Sequence, residues 1–110
     1  MRIGVVGSGY VGLTTGICLA SLKHDIFIYD LDKEKLDNIK NAKLPFFERG
    51  LEEILEEVIS SEKLVPQDDL DDLVNETDGC FICVGTPTKN NSIDLTQIIN
   101  SIKSIVQSIK

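Results

Sequence analysis

The first thirty residues constrain the fold more than any other part of the chain. They consist of an apolar run from Ile3 to Val6, a break at Gly7-Ser8-Gly9, a stretch with helical character from Tyr10 to Leu22, and a second apolar run from Ile26 to Tyr29. The glycines at positions 7, 9 and 12 have the G-x-G-x-x-G spacing that lets a strand turn tightly into a helix. This order predicts a strand–helix–strand unit at the N-terminus.

Each glycine of this motif has its own physical role. Gly7 allows the turn, the missing Cβ of Gly9 lets a pyrophosphate approach the backbone, and Gly12 lets the helix lie close to the sheet. Gly12, Gly16 and Ala20 recur every four residues, so that one helix face is a stripe of small side chains. The motif therefore predicts both an anion site at the helix N-terminus and close packing along the helix.

Asp30 makes the motif more specific. A lone G-x-G-x-x-G also occurs in ordinary loops, so the alternative is a plain βαβ unit with a glycine-rich turn. Asp30 ends the second strand 18 positions after Gly12, about where a dinucleotide-binding fold carries the acid that binds the ribose hydroxyls. The carboxylate favours NAD over NADP because it would repel a 2′-phosphate, although Lys33 and Lys35 lie close by and leave NADP open.

The composition excludes several other classes of protein. The 110 residues, of which 42% are hydrophobic and 26% charged, suffice for one globular domain at most. The formal charge of −7 predicts no binding to nucleic acid, and the lack of an apolar stretch of about 18 residues predicts no membrane span. The N-terminus does not resemble a signal peptide, and free cysteines fit a reducing compartment, so we expect a cytoplasmic protein.

No residue pattern in the chain predicts a metal centre or a catalytic group. Cys80 and Cys83 have C-x-x-C spacing, but residues three apart on a strand point to opposite faces, so we expect them to be buried packing residues. Cys18 falls in a helix, and the single histidine, His24, falls in a turn. The glutamates between positions 52 and 57 follow the solvent face of an amphipathic helix, so they receive no acid–base role.

The rest of the chain alternates helices and strands. The predicted elements are a helix over 31–41 capped by Asp32, a helix over 51–59, a strand over 63–65 stopped by Pro66, a helix from a cap at Asp68 to about Glu76, a buried strand over 80–84, and a last helix capped by Asp94. A loop over 42–50 carries Phe46 and Phe47, which either pack on the domain or meet a partner. A polar loop over 88–92 precedes the last helix, whose apolar pattern reaches the terminus without a stop signal, so we expect a truncated domain.

These elements predict an α/β fold. We expect a Rossmann-like, doubly wound parallel sheet with strand order 3-2-1-4 and helices on both faces. The loop Gly85-Thr86-Pro87 follows the fourth strand and therefore lies at the same sheet edge as the glycine motif. Ligands of such folds bind at this carboxyl edge, at the topological switch point.

Three segments together resemble the UDP-glucose dehydrogenase family, which includes the UDP-glucose and GDP-mannose dehydrogenases. They are Ile3-Gly-Val-Val-Gly-Ser-Gly-Tyr-Val-Gly-Leu13, Pro45-Phe-Phe-Glu-Arg-Gly-Leu51, and Phe81-Ile-Cys-Val-Gly-Thr-Pro87 followed by Asp94-Leu95. The family has a G-x-G-Y-V-G fingerprint, a P-x-Y-E-P-G-L loop and a V-G-T-P strand end before a D-L helix start. The resemblance covers essentially the whole chain in the family's order, and Tyr10-Val11 and V-G-T-P are its specific parts.

The resemblance implies that the chain is the N-terminal NAD-binding portion of such an enzyme. The residues that would line the NAD site are Gly7, Ser8, Gly9, Tyr10, Val11, Gly12, Asp30, Lys35, Val84, Gly85, Thr86 and Pro87, with Thr88 next in the loop. Asp30 would bind the adenosine ribose, Lys35 would support it, and Thr86 would face the cofactor near its nicotinamide half. Phe47 and Arg49 replace the tyrosine and proline of the family's loop, and Asn91 stands where a glycine is common.

The family's chemistry, by implication, is two successive NAD-dependent oxidations of a sugar-nucleotide 6-hydroxyl to a carboxylate. It passes through a thioester on a cysteine, aided by a lysine and an aspartate that lie in the second half of the family's chain. We therefore expect no catalytic residue within 1–110, and we expect the nucleotide sugar to bind through the missing half. The resemblance leaves the sugar open among glucose, N-acetylmannosamine and mannose. We expect a homo-oligomer, because the strand over 80–84 would have an open edge and the helix over 94–110 carries an apolar stripe.

Two other functions stay open at this stage. One is a nucleotide-sensing regulatory module, such as the domains that gate potassium channels, which also begin with a strand, G-x-G-x-x-G, a helix, a strand and an aspartate. The other is a different NAD-dependent dehydrogenase, acting on hydroxy acids or acyl thioesters. The V-G-T-P loop and the long insertion over 42–62, which a minimal sensor does not need, favour the nucleotide-sugar dehydrogenase.

Overall fold

A four-stranded parallel sheet organises the fold, in a computed structural model that describes residues 1–110. In chain order the elements are β1 (Arg2–Val6), α1 (Tyr10–Ser21), β2 (Asp25–Tyr29), α2 (Lys33–Lys40), α3 (Leu51–Ser60), β3 (Leu64–Pro66), α4 (Leu70–Glu76), β4 (Gly79–Ile82), β5 (Thr88–Lys89), β6 (Ser92–Ile93) and α5 (Thr96–Ser108). The sheet has the order β3-β2-β1-β4 with every pair parallel, which confirms the predicted α/β fold and its strand order 3-2-1-4. None of the five helices combines the length and apolarity that crossing a membrane would require.

The larger core lies between one face of the sheet and helices α1, α2 and α3. The predicted stripe of small residues on α1, Gly12, Gly16 and Ala20, is buried in full. At Gly16 an added Cβ would lie 3.4 Å from the side chain of Leu64 and 3.6 Å from that of Ile26, so the helix rests almost directly on β2 and β3. This contact fixes the start of α1 at the carboxyl edge of the sheet.

The other face of the sheet is covered by α4 and α5. Leu73 of α4 is fully buried, and it fills the space that a side chain at Gly4 of β1 would otherwise need, since a Cβ there would lie 2.5 Å from Leu73 Cδ2. The two helices are joined where Asn75 Nδ2 donates a hydrogen bond of 2.9 Å to the backbone oxygen of Ser108. One face of α5 borders the same space as the glycine motif.

Two predicted details between α3 and α4 are wrong. Asp69, not Asp68, caps α4, because the Asp69 carboxylate accepts the Asp71 N–H at 2.9 Å while Asp68 pairs with Lys40 Nζ at the same distance. Pro66 does not stop the third strand but is its last residue. Proline is tolerated there because β3 is an edge strand, and its outer side needs no N–H donor.

The prediction of a buried strand over 80–84 is also wrong. β4 spans Gly79–Ile82, and 48% of the Phe81 side chain is exposed, because only β1 pairs with β4 and its other edge is open. Cys80 and Cys83 do point to opposite faces, Cys80 towards Leu73 and Cys83 towards Gly12, as the strand geometry predicts. Both cysteines are half-buried and not part of a sealed core, while Cys18 is exposed.

The segment before α5 contains a small hairpin that the sequence pattern did not predict. β5 and β6 pair antiparallel through Thr88 with Ile93 and Lys89 with Ser92. Asn90 and Asn91 make the turn with φ angles of 53° and 62°, a left-handed conformation that asparagine adopts more readily than most residues. α5 then begins at Thr96 with Leu95 as its N-cap, so the prediction that Asp94 caps this helix is wrong by one residue. The Asp94 carboxylate still accepts the Thr96 N–H at 2.9 Å from the position before the cap.

Candidate functional site

A cleft of about 510 Å³ lies at the carboxyl ends of β1, β2 and β4. It lies at the sheet edge where the sequence predicts ligand binding, and its walls come from the glycine loop, the end of β2, the loop after β4 and one face of α5. Seven of the twelve predicted site residues line it, namely Gly7, Ser8, Gly9, Asp30, Lys35, Val84 and Gly85. The topology thus brings together two segments more than fifty residues apart in the chain.

The glycine loop is shaped by contacts that exclude side chains. Gly7 has a φ of 102°, its N–H donates to the Tyr29 carbonyl at 2.8 Å, and an added Cβ would lie 2.5 Å from the Cys83 carbonyl oxygen. An added Cβ on Gly12 would overlap the Gly7 carbonyl oxygen. Both positions therefore require glycine for the turn and the close approach of the backbone.

Gly9 differs from the other two glycines because nothing crowds it. An added Cβ at Gly9 would have no atom within 4 Å, although Gly9 is the residue from which α1 begins. No side chain caps the first turn of α1, so its N–H groups are left without a side-chain acceptor beside this space. Such an uncapped N-terminus in a glycine-lined cleft fits the phosphates of a dinucleotide.

Asp30 connects the end of β2 to the glycine loop. Its Oδ2 accepts hydrogen bonds from the Ser8 N–H at 2.8 Å and from the Ser8 hydroxyl at 2.7 Å, and its Oδ1 accepts one from the Asp32 N–H at 2.9 Å. Burial of the Asp30 carboxyl group opposes ionisation, but these hydrogen bonds and the nearby Lys35 ammonium outweigh it and hold the pKa of Asp30 below its ordinary value. The cleft therefore contains a fixed negative charge at neutral pH.

The two lysines near Asp30 have different surroundings. Lys35 lines the cleft, whereas Lys33 is engaged elsewhere, since its Nζ donates to the Asp68 backbone oxygen at 2.8 Å and lies 5.3 Å from the centre of the Tyr29 ring. Only Lys35 therefore faces the ligand space beside Asp30. This leaves a carboxylate and one ammonium group beside each other at the end of β2.

The other five predicted site residues lie outside the cleft lining, and the roles of all twelve stay predictions. Gly12 packs under the loop, Val11 is exposed, and Thr86 and Pro87 are exposed beyond Gly85. Tyr10 turns away from the cleft towards the 42–50 loop.

Tyr10 joins that loop through two contacts. Its hydroxyl donates to Glu48 Oε2 at 3.1 Å, and its ring lies 4.8 Å from the ring of Phe46, centre to centre. Phe46 therefore packs on the domain, while Phe47 beside it is 91% exposed. One of the two aromatic residues in the loop is accounted for by packing, and the other remains free to meet a partner.

One wall of the cleft was not predicted from the sequence. Four polar residues of α5 line it, at the helical spacing of one face: Gln97, Asn100, Ser101 and Ser104. Gln97 comes closest to the loop after β4, with Oε1 3.3 Å from where a Cβ on Gly85 would be. The sequence signal was the polar face opposite the apolar stripe of α5, but only the packing of α5 beside α4 shows that this face borders the cleft.

The cleft has groups that can hold a ligand but none that is set up to react with one. Cys83 lines the cleft, and burial raises the pKa of its thiol, which keeps the thiol protonated at neutral pH and weakly nucleophilic. No cluster of three or more histidine, cysteine, aspartate or glutamate side chains could hold a metal ion. The residues present thus fit binding of a dinucleotide better than covalent chemistry.

The chain matches known proteins over its whole length. Residues 1–110 match the model of the UDP-glucose/GDP-mannose dehydrogenase family, NAD binding domain. The chain is 34% identical over 112 residues to UDP-glucose 6-dehydrogenase of Rhizobium meliloti, with 100% of the chain and 26% of that protein covered. It is 44% identical over 91 residues to GDP-mannose 6-dehydrogenase of Pseudomonas savastanoi pv. phaseolicola, with 83% and 21% covered.

A solved structure shares the fold. In the ternary complex of GDP-mannose dehydrogenase from Pseudomonas aeruginosa, 24% of the protein superposes on 96% of this chain with a TM-score of 0.92 and 37% sequence identity. The chain thus spans about a quarter of the length of the relatives that it matches.

Proposed function

Because the chain belongs to the UDP-glucose/GDP-mannose dehydrogenase family and is its NAD-binding domain, we propose that the cleft at the carboxyl ends of β1, β2 and β4 is the NAD site. The observation that carries this proposal is the pairing of an uncrowded Gly9 at the uncapped start of α1 with the ionised Asp30 carboxylate across the same cleft. An anion site and a ribose-binding acid that border one cleft match the pyrophosphate and the adjoining adenosine ribose of NAD.

The residues divide among the parts of the cofactor. The backbone of Gly7 to Gly9 and the first turn of α1 would hold the pyrophosphate, and Asp30 would hold the adenosine ribose. Leu31 and Leu70 line the same cleft and provide apolar surface for the adenine ring. Val84 and Gly85, with Thr86 beyond them, would follow the nicotinamide half. Once bound, NAD supplies the hydride acceptor for oxidation of a substrate.

The charges at the cleft favour NAD over NADP. The Asp30 carboxylate would repel a 2′-phosphate, and Lys33, which the sequence offered as a counter-charge, is held by the Asp68 backbone oxygen and the Tyr29 ring. Lys35 alone remains near Asp30, and its charge supports the ionised carboxylate. An acid at the end of the second strand is the group that NAD sites of this fold use for the ribose.

We further propose that the protein containing this domain is a nucleotide-sugar 6-dehydrogenase, similar to UDP-glucose dehydrogenase, which would convert UDP-glucose to UDP-glucuronate with two NAD. The family match over all 110 residues is the reason to prefer this function over a nucleotide-sensing module or a different dehydrogenase. The nucleophile, the base and the sugar-binding residues would lie outside residues 1–110, since the resemblance places the family's cysteine, lysine and aspartate in the second half of its chain.

The activity can be tested with the full-length protein that contains this domain. NADH formation is followed at saturating NAD with UDP-glucose, GDP-mannose and UDP-N-acetylmannosamine as separate substrates. We expect two NADH per sugar oxidised with one of the three, and UDP-glucose is our first choice. In contrast, the 110-residue chain alone should form no NADH with any of them. Activity with hydroxy acids in place of nucleotide sugars would contradict the proposal.

A further inference from the structure

The contact between Ser8 and Asp30 is more extensive than the ribose-binding role of Asp30 requires. Ser8 is only 2% exposed, and both its N–H and its hydroxyl donate to the same oxygen, Asp30 Oδ2, at 2.8 and 2.7 Å. A carboxylate has about four acceptor positions, two on each oxygen. Ser8 therefore occupies both positions of Oδ2, and the Asp32 N–H occupies one of Oδ1.

This leaves one acceptor position on Asp30, and it is on Oδ1. The carboxylate cannot rotate to present Oδ2 to a ligand without breaking two hydrogen bonds to a buried residue, and bonds to a charged acceptor are among the stronger ones in proteins. The orientation of Asp30 is thus set by the residue between the first two glycines. Because Ser8 belongs to the glycine loop, the same contact ties the loop to the acid.

We propose that Ser8 is a positioning residue for cofactor recognition, whose buried hydroxyl holds the Asp30 carboxylate with Oδ1 towards the adenosine ribose. Ser8 acts through Asp30 and makes no contact with the ligand through its side chain, since it is almost fully buried. The inference rests on the proposed NAD site, in which Asp30 accepts a hydrogen bond from a ribose hydroxyl. It predicts that the effect of removing the Ser8 hydroxyl depends on whether the ligand has ribose hydroxyls.

The test measures the affinities of ADP and 2′,3′-dideoxy-ADP for this chain by calorimetry, in wild type and in Ser8→Ala. In wild type we expect ADP to bind roughly tenfold or more tightly than the dideoxy analogue, the usual scale of a hydrogen bond to a charged group. In Ser8→Ala the ratio of the ADP affinity to the dideoxy-ADP affinity should fall at least about threefold, because only ADP binds more weakly. Affinity for the dideoxy analogue should stay within about twofold of wild type.

Ser108→Ala is the matched control, because Ser108 is the other buried serine, 6% exposed, and its hydroxyl donates to the Ser104 backbone oxygen at 2.9 Å. The Ser108→Ala variant should have the same ratio of ADP to dideoxy-ADP affinity as wild type. If Ser8→Ala does not fold, Ser8→Cys replaces it, since a thiol is similar in shape but a weak donor; the ratio should fall there too.

Different results would contradict the proposed NAD site and the positioning role of Ser8. A wild-type ratio near one would remove Asp30 from the ribose and contradict the proposed site. A normal wild-type ratio that Ser8→Ala leaves unchanged, or an equal loss of affinity for both ligands, would contradict the positioning role of Ser8 alone, because a purely structural role would weaken both ligands together.

Discussion

Asp30 is the residue whose environment most directly determines the ligand of this domain. Its carboxylate is half-buried and still has a lowered pKa, because hydrogen bonds from Asp32 and Ser8 and the charge of Lys35 outweigh the burial of the carboxyl group. A group whose pKa is lowered by folding stabilises the folded state above its unfolded pKa. That contribution is lost as the pH falls from the ordinary value of 3.8 through the lower folded value. The site therefore keeps its charge across the neutral range.

We expect Asp30→Ala to weaken NAD binding by on the order of 1–3 kcal/mol, the usual loss when a charged hydrogen-bond acceptor is removed. NADP binding should weaken less, or improve, because the change also removes the repulsion of the 2′-phosphate. Calorimetric titrations with both cofactors check this. Equal losses for NAD and NADP would show that Asp30 does not contact the adenosine ribose.

The start of α1 is the element on which the cleft depends, and its glycines are not equivalent. Gly12 faces the backbone of the glycine loop, and an added Cβ would overlap the Gly7 carbonyl oxygen. Gly16, one turn later on the same face, faces only side chains, at 3.4 Å or more. Backbone cannot move aside as flexible side chains can, so the two positions should respond differently to the same substitution.

We therefore predict that Gly12→Ala destabilises the fold and that Gly16→Ala does not. Gly12→Ala should lower the free energy of unfolding by about 3 kcal/mol or more, or prevent folding, because the helix must leave the loop. Gly16→Ala should be neutral or raise it by up to about 1 kcal/mol, since alanine favours the helix. Urea unfolding followed by circular dichroism measures both. A Gly12→Ala variant as stable as wild type would mean that α1 does not lie as close to the loop as the structure has it.

Local sequence signals predict some helices and strands correctly, while other details depend on contacts between elements. Local signals were sufficient for the strand–glycine–helix–strand unit and for the cap at Asp32, whose carboxylate accepts the Glu34 N–H at 3.0 Å. The cap of α4 could not be resolved between neighbouring aspartates, because the choice depends on Lys40 of α2, which captures Asp68. The exposure of β4 was missed because a continuous apolar run does not reveal whether a strand has one neighbour or two.

The site residues likewise include some that the sequence predicts and some that depend on packing between elements. The glycine loop and Asp30 follow from spacing alone, since adjacent parallel strands bring their carboxyl ends together. The polar face of α5, with residues such as Gln97 and Ser101, could not be placed at the cleft from its pattern. A helical period shows that two faces differ, but not which neighbour each face meets.

The whole molecule has two surfaces that its own elements do not cover. The outer edge of β4 is unpaired, and several apolar residues of α5 are substantially exposed, with 45% for Ile102 and 62% for Val106. Open strand edges and large apolar patches tend to associate. The net charge of −7 opposes association between copies at low ionic strength.

We predict that the 110-residue chain self-associates through the β4 edge, the α5 face or both, and does so more strongly as salt screens the charge. At least one of Phe81→Lys and Ile102→Lys should shift the equilibrium towards monomer in sedimentation velocity experiments, and the one that does so identifies the surface. Phe47→Lys is the control, because Phe47 is 91% exposed but belongs to neither surface. A strict monomer at high concentration and high salt would contradict the prediction.

Titration of NAD into wild type, Gly9→Ala and Gly79→Ala shows whether NAD binds in the cleft at the carboxyl ends of the strands. Neither glycine has an atom within 4 Å of an added Cβ, so both variants should unfold at the wild-type temperature, but only Gly9 borders the cleft. We expect wild type and Gly79→Ala to bind NAD equally and Gly9→Ala to bind at least about tenfold more weakly, because the methyl group occupies the space of the pyrophosphate. Equal affinity for NAD in all three proteins, or no binding by wild type, would contradict binding of NAD in this cleft.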